Sequence, residues 1–167
     1  MPVLIREEMT VDCAAIRELT KAAFASVEHS SQTEAEIIEA LRIAGALTLS
    51  LVAIEEGHVV GHIAFSPVLI DNTNLGWYGL GPVSVHANRQ RNGIGSELVR
   101  EGLQRLAQTG AKGCVVLGEP DYYQRFGFEA DSGLVLDGVP ASYFMRLVLH
   151  GRTPKGRVTY HAGFDAR

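Results

Sequence analysis

Val83-Ser84-Val85-His86-Ala87-Asn88-Arg89-Gln90-Arg91-Asn92-Gly93-Ile94-Gly95-Ser96 passes from an alternating apolar segment, through a polar arm and two glycines, into an amphipathic stretch. It reads as a β-strand, a tight turn and the first turn of a helix. A helix N-terminus leaves its first four N–H groups without intrahelical acceptors and carries partial positive charge. Such an end binds a phosphate-bearing ligand well. Gly93 and Gly95 have no Cβ, so the backbone can approach an anion closely and can take positive φ where the turn needs it. Arg89 and Arg91 place further positive charge nearby.

Two rival phosphate loops fit less well. The nucleotide P-loop requires Gly-x-x-x-x-Gly-Lys-Ser/Thr, and the chain holds no such string. The dinucleotide fingerprint requires a third glycine after Gly-x-Gly-x-x, and here that place is Leu98.

Gln90-Arg91-Asn92-Gly93-Ile94-Gly95 fits the pattern Gln/Arg-x-x-Gly-x-Gly/Ala and follows a Val-x-Val strand end. It resembles the acetyl-coenzyme A motif of the GNAT superfamily of N-acetyltransferases. The resemblance covers nearly the whole chain. It implies a mixed, mostly antiparallel α/β (α+β) sheet of about seven strands, helices on both faces, and one splayed pair of parallel strands.

The hydrophobic periodicity reads in the same order. A short strand over Pro2 to Arg6 precedes a helix from a Thr10 N-cap to about Ala25. Thr33 and Glu36 have capping-box spacing before a second helix, with Gly45 as its stop. Leu47 to Ile54 and Val59 to Ile70 read as a hairpin about Glu55-Glu56-Gly57-His58, and Leu75 to His86 as the next strand. Gly79, Gly81 and Pro82 weaken that strand, and Pro82 predicts a bulge or a free edge. Ile94 to Thr109 is an amphipathic helix ended by Gly110. Gly113 to Leu117 is a short buried strand, Pro120 to Arg125 a short helix, and Leu134 to Leu136, Phe144 to Leu149 and Arg157 to Tyr160 the closing strands.

The 167 residues suit one domain over 1–167. A net charge of −4, with no arginine or lysine tract, argues against a nucleic-acid surface. The absence of a long apolar run predicts a cytoplasmic protein that does not enter a membrane. Cys13 and Cys114 read as free, inert thiols, and the six scattered histidines show no metal-ligand spacing, so no metal is expected.

By resemblance, the backbones of Val83, Ser84 and Val85 run beside the pantetheine arm of acetyl-coenzyme A, with Val83 and Val85 bonding to it. Gln90, Arg91, Asn92, Gly93, Ile94, Gly95 and Ser96 frame its pyrophosphate. The reaction implied is direct acetyl transfer to a primary amine in a ternary complex. A lysine amine, with a pKa of about 10.4, costs roughly 4.6 kcal/mol to deprotonate at pH 7, and an α-amine about 1 kcal/mol.

Tyr122-Tyr123-Gln124-Arg125-Phe126-Gly127-Phe128 resembles the family's Tyr-x-x-x-Gly-Phe segment, which makes Tyr123 the candidate general acid for the leaving thiolate. The alternative is a tyrosine that packs its ring on the sheet. Val116 stands where many relatives carry asparagine. Leu117-Gly118-Glu119-Pro120-Asp121-Tyr122-Tyr123 is similar to a bacterial subgroup of predicted N-acetyltransferases whose acceptors are poorly defined.

The base is open: Glu119 is the first candidate, against a purely helix-starting role. Glu28 and His29 are further loop candidates, and His62 and His86 read as structural. A longer acyl donor and a cofactor-sensing module without chemistry are the rival functions. A homodimer is compatible with the family's habits.

Overall fold

The computed structural model describes residues 2–28 and 30–167. The chain runs β1 (Leu4–Glu7), α1 (Cys13–Phe24), α2 (Glu34–Ile43), β2 (Leu49–Glu55), β3 (His58–Ile70), β4 (Trp77–Val85), α3 (Ile94–Gln108), β5 (Gly113–Leu117), α4 (Pro120–Tyr123), β6 (Glu129–Ala130), β7 (Leu134–Val135), β8 (Phe144–Val148) and β9 (Gly156–Tyr160). The main sheet path is β1-β2-β3-β4-β5-β8-β6, and β9 pairs with both β3 and β7. The expected seven strands are this path; β9 branches from the far end of β3 and carries β7.

Alternation along β2 and β3 sends side chains to two different cores. One core holds Leu51, Ile63, Phe65, Cys114, Val116 and the apolar stripe of α3. Ile94, Leu98, Val99, Leu103 and Leu106 from that stripe are buried, each contributing about 1.5–3 kcal/mol. The opposite face carries Ile16, Ile38 and Val52 under α1 and α2. Beside them lie Val68, Trp77, Val115 and Val158 with Tyr160.

Local signals hold at most turns. Glu56 and Gly57 have φ of +50° and +78° and close the β2–β3 hairpin. Two expected caps differ. Thr33 does not cap α2; its hydroxyl meets that of Ser31 at 2.6 Å. Thr10 opens a short 3-10 turn instead of capping α1. There the carboxylate of Asp12 accepts from Met9 N at 2.7 Å and from Arg6 Nη1 at 2.7 Å. A sequence-distant arginine thus recruits the carboxylate that fixes this corner.

Two irregularities shape β4. Its register to β3 shifts between Ile63 and Phe65, so Gly81 and Pro82 form a bulge. Its parallel pairing with β5 covers Trp77, Tyr78 and Gly79 only, opposite Gly113, Cys114 and Val115. Beyond Gly79 the strands diverge, as the splayed pair requires.

Candidate active site

The upper half of β4 has one free edge. His86 N donates to Val60 O at 2.8 Å, so His86 and Ser84 turn their backbones toward β3. By strand alternation, Val83 and Val85 direct N–H and C=O into the gap left by β5. Their side chains pack on the α3-side core. The amide of Gln90 reaches back to donate to Val85 O at 3.2 Å. Ser84 points its hydroxyl to the other face, where it is buried without a partner.

From the end of β4 the chain makes a 3-10 turn over Ala87–Arg89, capped by His86 Nδ1 accepting from Asn88 N at 3.1 Å. Arg91 and Gly93 then take left-handed backbones, with φ of +68° and +83°. Backbones of this handedness can turn successive N–H groups toward one side, as anion-binding nests do. The first helical bond of α3 is Glu97 N to Gly93 O at 3.0 Å. Among the described residues, the amides of Arg91 to Ser96 have no intramolecular acceptor. Ile94 is buried beneath the array, while Gln90, Arg91, Asn92 and Gly93 are exposed. Arg89, expected beside the anion, is ion-paired to Glu55. Arg91 is the unpaired charge of the loop among the described residues.

Tyr123 sits against the end of β5. Gly118 follows β5 directly, and a Cβ there would lie 2.5 Å from Tyr123 Cε2; glycine leaves room for the edge of the ring. Tyr123 also packs edge-on to Phe128, with centroids 5.9 Å apart. Burial, with smaller contributions from Tyr122 and Cys114, pushes its hydroxyl up to about 12. It therefore keeps its proton at neutral pH and can offer a hydrogen bond.

Tyr122 joins the two halves of the site. Its hydroxyl lies 3.4 Å from Ser96 Oγ and would lie 3.2 Å from a Cβ on Gly95. The Arg125 guanidinium stacks on its ring at 4.6 Å.

The base candidates are dispersed. Glu119 is exposed; its carbonyl accepts from Tyr122 N and Tyr123 N, but its carboxylate caps nothing. Glu28 is exposed on the α1–α2 connection, and His29 lies outside the described residues. His62 is fully buried on β3. Its Nε2 meets Ser50 Oγ at 2.8 Å, and Ser50 in turn hydrogen-bonds Glu8. Its Nδ1 has no partner. Burial, together with Arg42 and against the opposing charge of Glu8, pulls the ring down to about 4. Cys114 is buried and its thiol is pushed up by burial, which makes it inert.

A family model described as "Acetyltransferase (GNAT) domain" matches residues 47–130, from the start of the β2–β3 hairpin to the end of β6. The chain belongs to the GNAT family of N-acetyltransferases. Its GNAT relatives include the uncharacterized N-acetyltransferase YhbS of Escherichia coli K12, 41% identical over 128 residues, covering 76% of this chain and 74% of that protein. A GNAT family acetyltransferase from Brucella melitensis, solved in complex with acetyl-CoA, superposes with a TM-score of 0.89 at 54% identity, over 98% of this chain and 99% of that one. The E. coli YhbS structure in complex with CoA superposes with a TM-score of 0.90 at 35% identity, over 98% and 92% of the two chains. No helix among the described residues is long and apolar enough to cross a membrane, and none of their His, Cys, Asp and Glu side chains form a group placed to hold a metal ion.

Proposed function

We propose that this GNAT enzyme binds acetyl-coenzyme A between β4 and β5 and transfers the acetyl group directly to a primary amine. The observation that carries this reading is the run of unpartnered amides from Arg91 to Ser96 beside a half-opened parallel pair. The amides donate to the diphosphate oxygens, supported by Arg91 and the N-terminus of α3. Val83 and Val85 bond the two amides of the pantetheine arm as a neighbouring strand would. To receive the arm, Val85 O exchanges the Gln90 side chain for a ligand N–H. The relatives solved with acetyl-CoA and CoA support the choice of ligand.

The amine attacks the thioester carbonyl carbon. A C–N bond forms, the tetrahedral intermediate collapses, and the C–S bond breaks. Tyr123 donates its proton to the departing thiolate, whose conjugate acid has a pKa of about 8.5. The proton shed by nitrogen passes to water. An exposed Glu119 beside the mouth supports a base role only where the acceptor or an ordered water bridges to it.

Calorimetry with coenzyme A and acetyl-coenzyme A tests the binding half. Thiol release in the presence of a lysine peptide, a peptide α-amine, a polyamine and an amino sugar, with mass analysis of the products, tests the transfer half. Folded protein that takes up no coenzyme A overturns the proposal. Uptake without transfer to any amine class favours the sensing module instead.

A further inference from the structure

We propose that Tyr160 is a second catalytic tyrosine, whose hydroxyl donates a hydrogen bond to the thioester carbonyl oxygen from the sheet face opposite Tyr123. This rests on the acetyl-transfer reading above and concerns a residue that the motif does not contain.

The placement follows from the end of the chain. β9 pairs with the far end of β3, Tyr160 opposite Val68. That register lays the Tyr160 ring across β4 at Gly79, the last residue paired with β5 before the strands part. A Cβ on Gly79 would lie 2.8 Å from Tyr160 Cε2 and 3.3 Å from Cζ, the carbon that bears the hydroxyl. Glycine at this position admits the ring. The fork is therefore flanked by two tyrosines, each resting on a glycine: Tyr160 on Gly79 at the base of β4's free edge, and Tyr123 on Gly118 at the end of β5. They come from opposite faces, since Tyr123 packs with the α3-side core and Tyr160 with the Trp77 and Val115 side.

The Tyr160 hydroxyl is buried and has no hydrogen-bond partner among the described residues. A buried, unsatisfied hydroxyl destabilises a fold, and a catalytic role is one of the reasons such a group is kept. Burial, then Cys114 and Tyr123, raise its pKa above the ordinary tyrosine value. It therefore stays protonated and acts as a donor. Phe164 holds the ring edge-on, with centroids 4.9 Å apart and planes at 80°, so the donor is positioned before substrate arrives.

Chemically, attack by the amine moves the carbonyl π pair onto oxygen. Tyr160 keeps its proton and stabilises that oxyanion; Tyr123 gives its proton to sulfur when the C–S bond breaks. The division of labour needs no further reagent.

The test is Tyr160→Phe, compared with wild type by thiol release from acetyl-coenzyme A with the same amine classes, by calorimetric affinity for coenzyme A, and by thermal melting. Turnover is expected to fall about a hundredfold, the scale of losing one oxyanion donor. Coenzyme A affinity should hold, and the melting temperature should hold or rise, because an unsatisfied buried hydroxyl is removed. Unchanged turnover in a wild-type-active background overturns the role of Tyr160 alone. A turnover loss matched by loss of coenzyme A affinity or by a lowered melting temperature also overturns it, in favour of packing. A wild type that neither binds coenzyme A nor releases thiol overturns both this and the acetyl-transfer reading.

Discussion

Gly93 allows the anion site to be tested without disturbing any packing. Its φ is +83° and nothing lies within 4 Å of where a Cβ would sit. A left-handed backbone costs an L-residue about 1–2 kcal/mol, and a β-branched side chain makes it a genuine outlier. The loop is exposed, so Gly93→Val is expected to abandon the left-handed conformation instead of holding the strain. The neighbouring N–H groups then no longer converge. Gly110, at the other end of α3, supplies the control: its φ is +89° and its Cβ position is equally open. Gly110→Val carries the same backbone conflict away from the site. Both variants should melt lower, by about 2–4 °C per kcal/mol for a chain of this size. Only Gly93→Val should lose coenzyme A affinity, by at least about tenfold, which corresponds to 1.4 kcal/mol. Isothermal calorimetry on folded protein reads this directly. Affinity in Gly93→Val equal to that in Gly110→Val would refute the claim that the amide fan holds the diphosphate.

Further outcomes follow from the same geometry. Tyr123→Phe should lower turnover by about 10²-fold or more while coenzyme A affinity stays near wild type; the reverse pattern, measured by thiol release and calorimetry, would make the ring a packing element. Gly118→Ala places a Cβ 2.5 Å from Tyr123 Cε2, an overpacking worth about 1–3 kcal/mol, so both melting temperature and turnover should drop; normal turnover would show that the ring can shift without consequence. His62 is neutral above its unfolded pKa of about 6.5 in both states. As pH falls below that value the unfolded chain binds the proton first, because the folded ring titrates only at about 4. Stability is therefore lost across that window, by about 3 kcal/mol in full. The Glu8 carboxyl is pushed up by burial and pulled down further by Arg42 and Ser50, leaving it below its ordinary value. Its own loss falls at lower pH. Urea midpoints between pH 6.5 and 4.5 should thus slope in wild type and flatten in His62→Gln; equal slopes would sink the assignment.

The strand, arm, glycine turn and helix around residues 83–108 were legible because the signals are local: alternation, then glycines, then a 3.6-residue period. The bulge at Pro82 was legible for the same reason, since a missing N–H breaks any ladder. What sequence could not show depended on distant partners. Asp12 displaces Thr10 as the organiser of the α1 corner because Arg6 lies beside it. Glu55, on the β2–β3 hairpin, removes Arg89 from the anion loop. Tyr160 enters only through its pairing with Val68, and the strand pattern around it gave no hint of the fork. The glycines were the available signal: at Gly79 within β4 and at Gly118 just past β5, an aromatic ring takes the place of a side chain.

With Arg89 engaged by Glu55, the proposed diphosphate site offers peptide N–H groups and the single charge of Arg91. Such a cradle reads a diphosphate but not what the diphosphate is attached to. Discrimination in favour of a thioester carrier must then come from the unzipped edge of β4, where only a peptide-like tail finds complementary groups, so selectivity and anchoring reside on separate stretches of the same short segment.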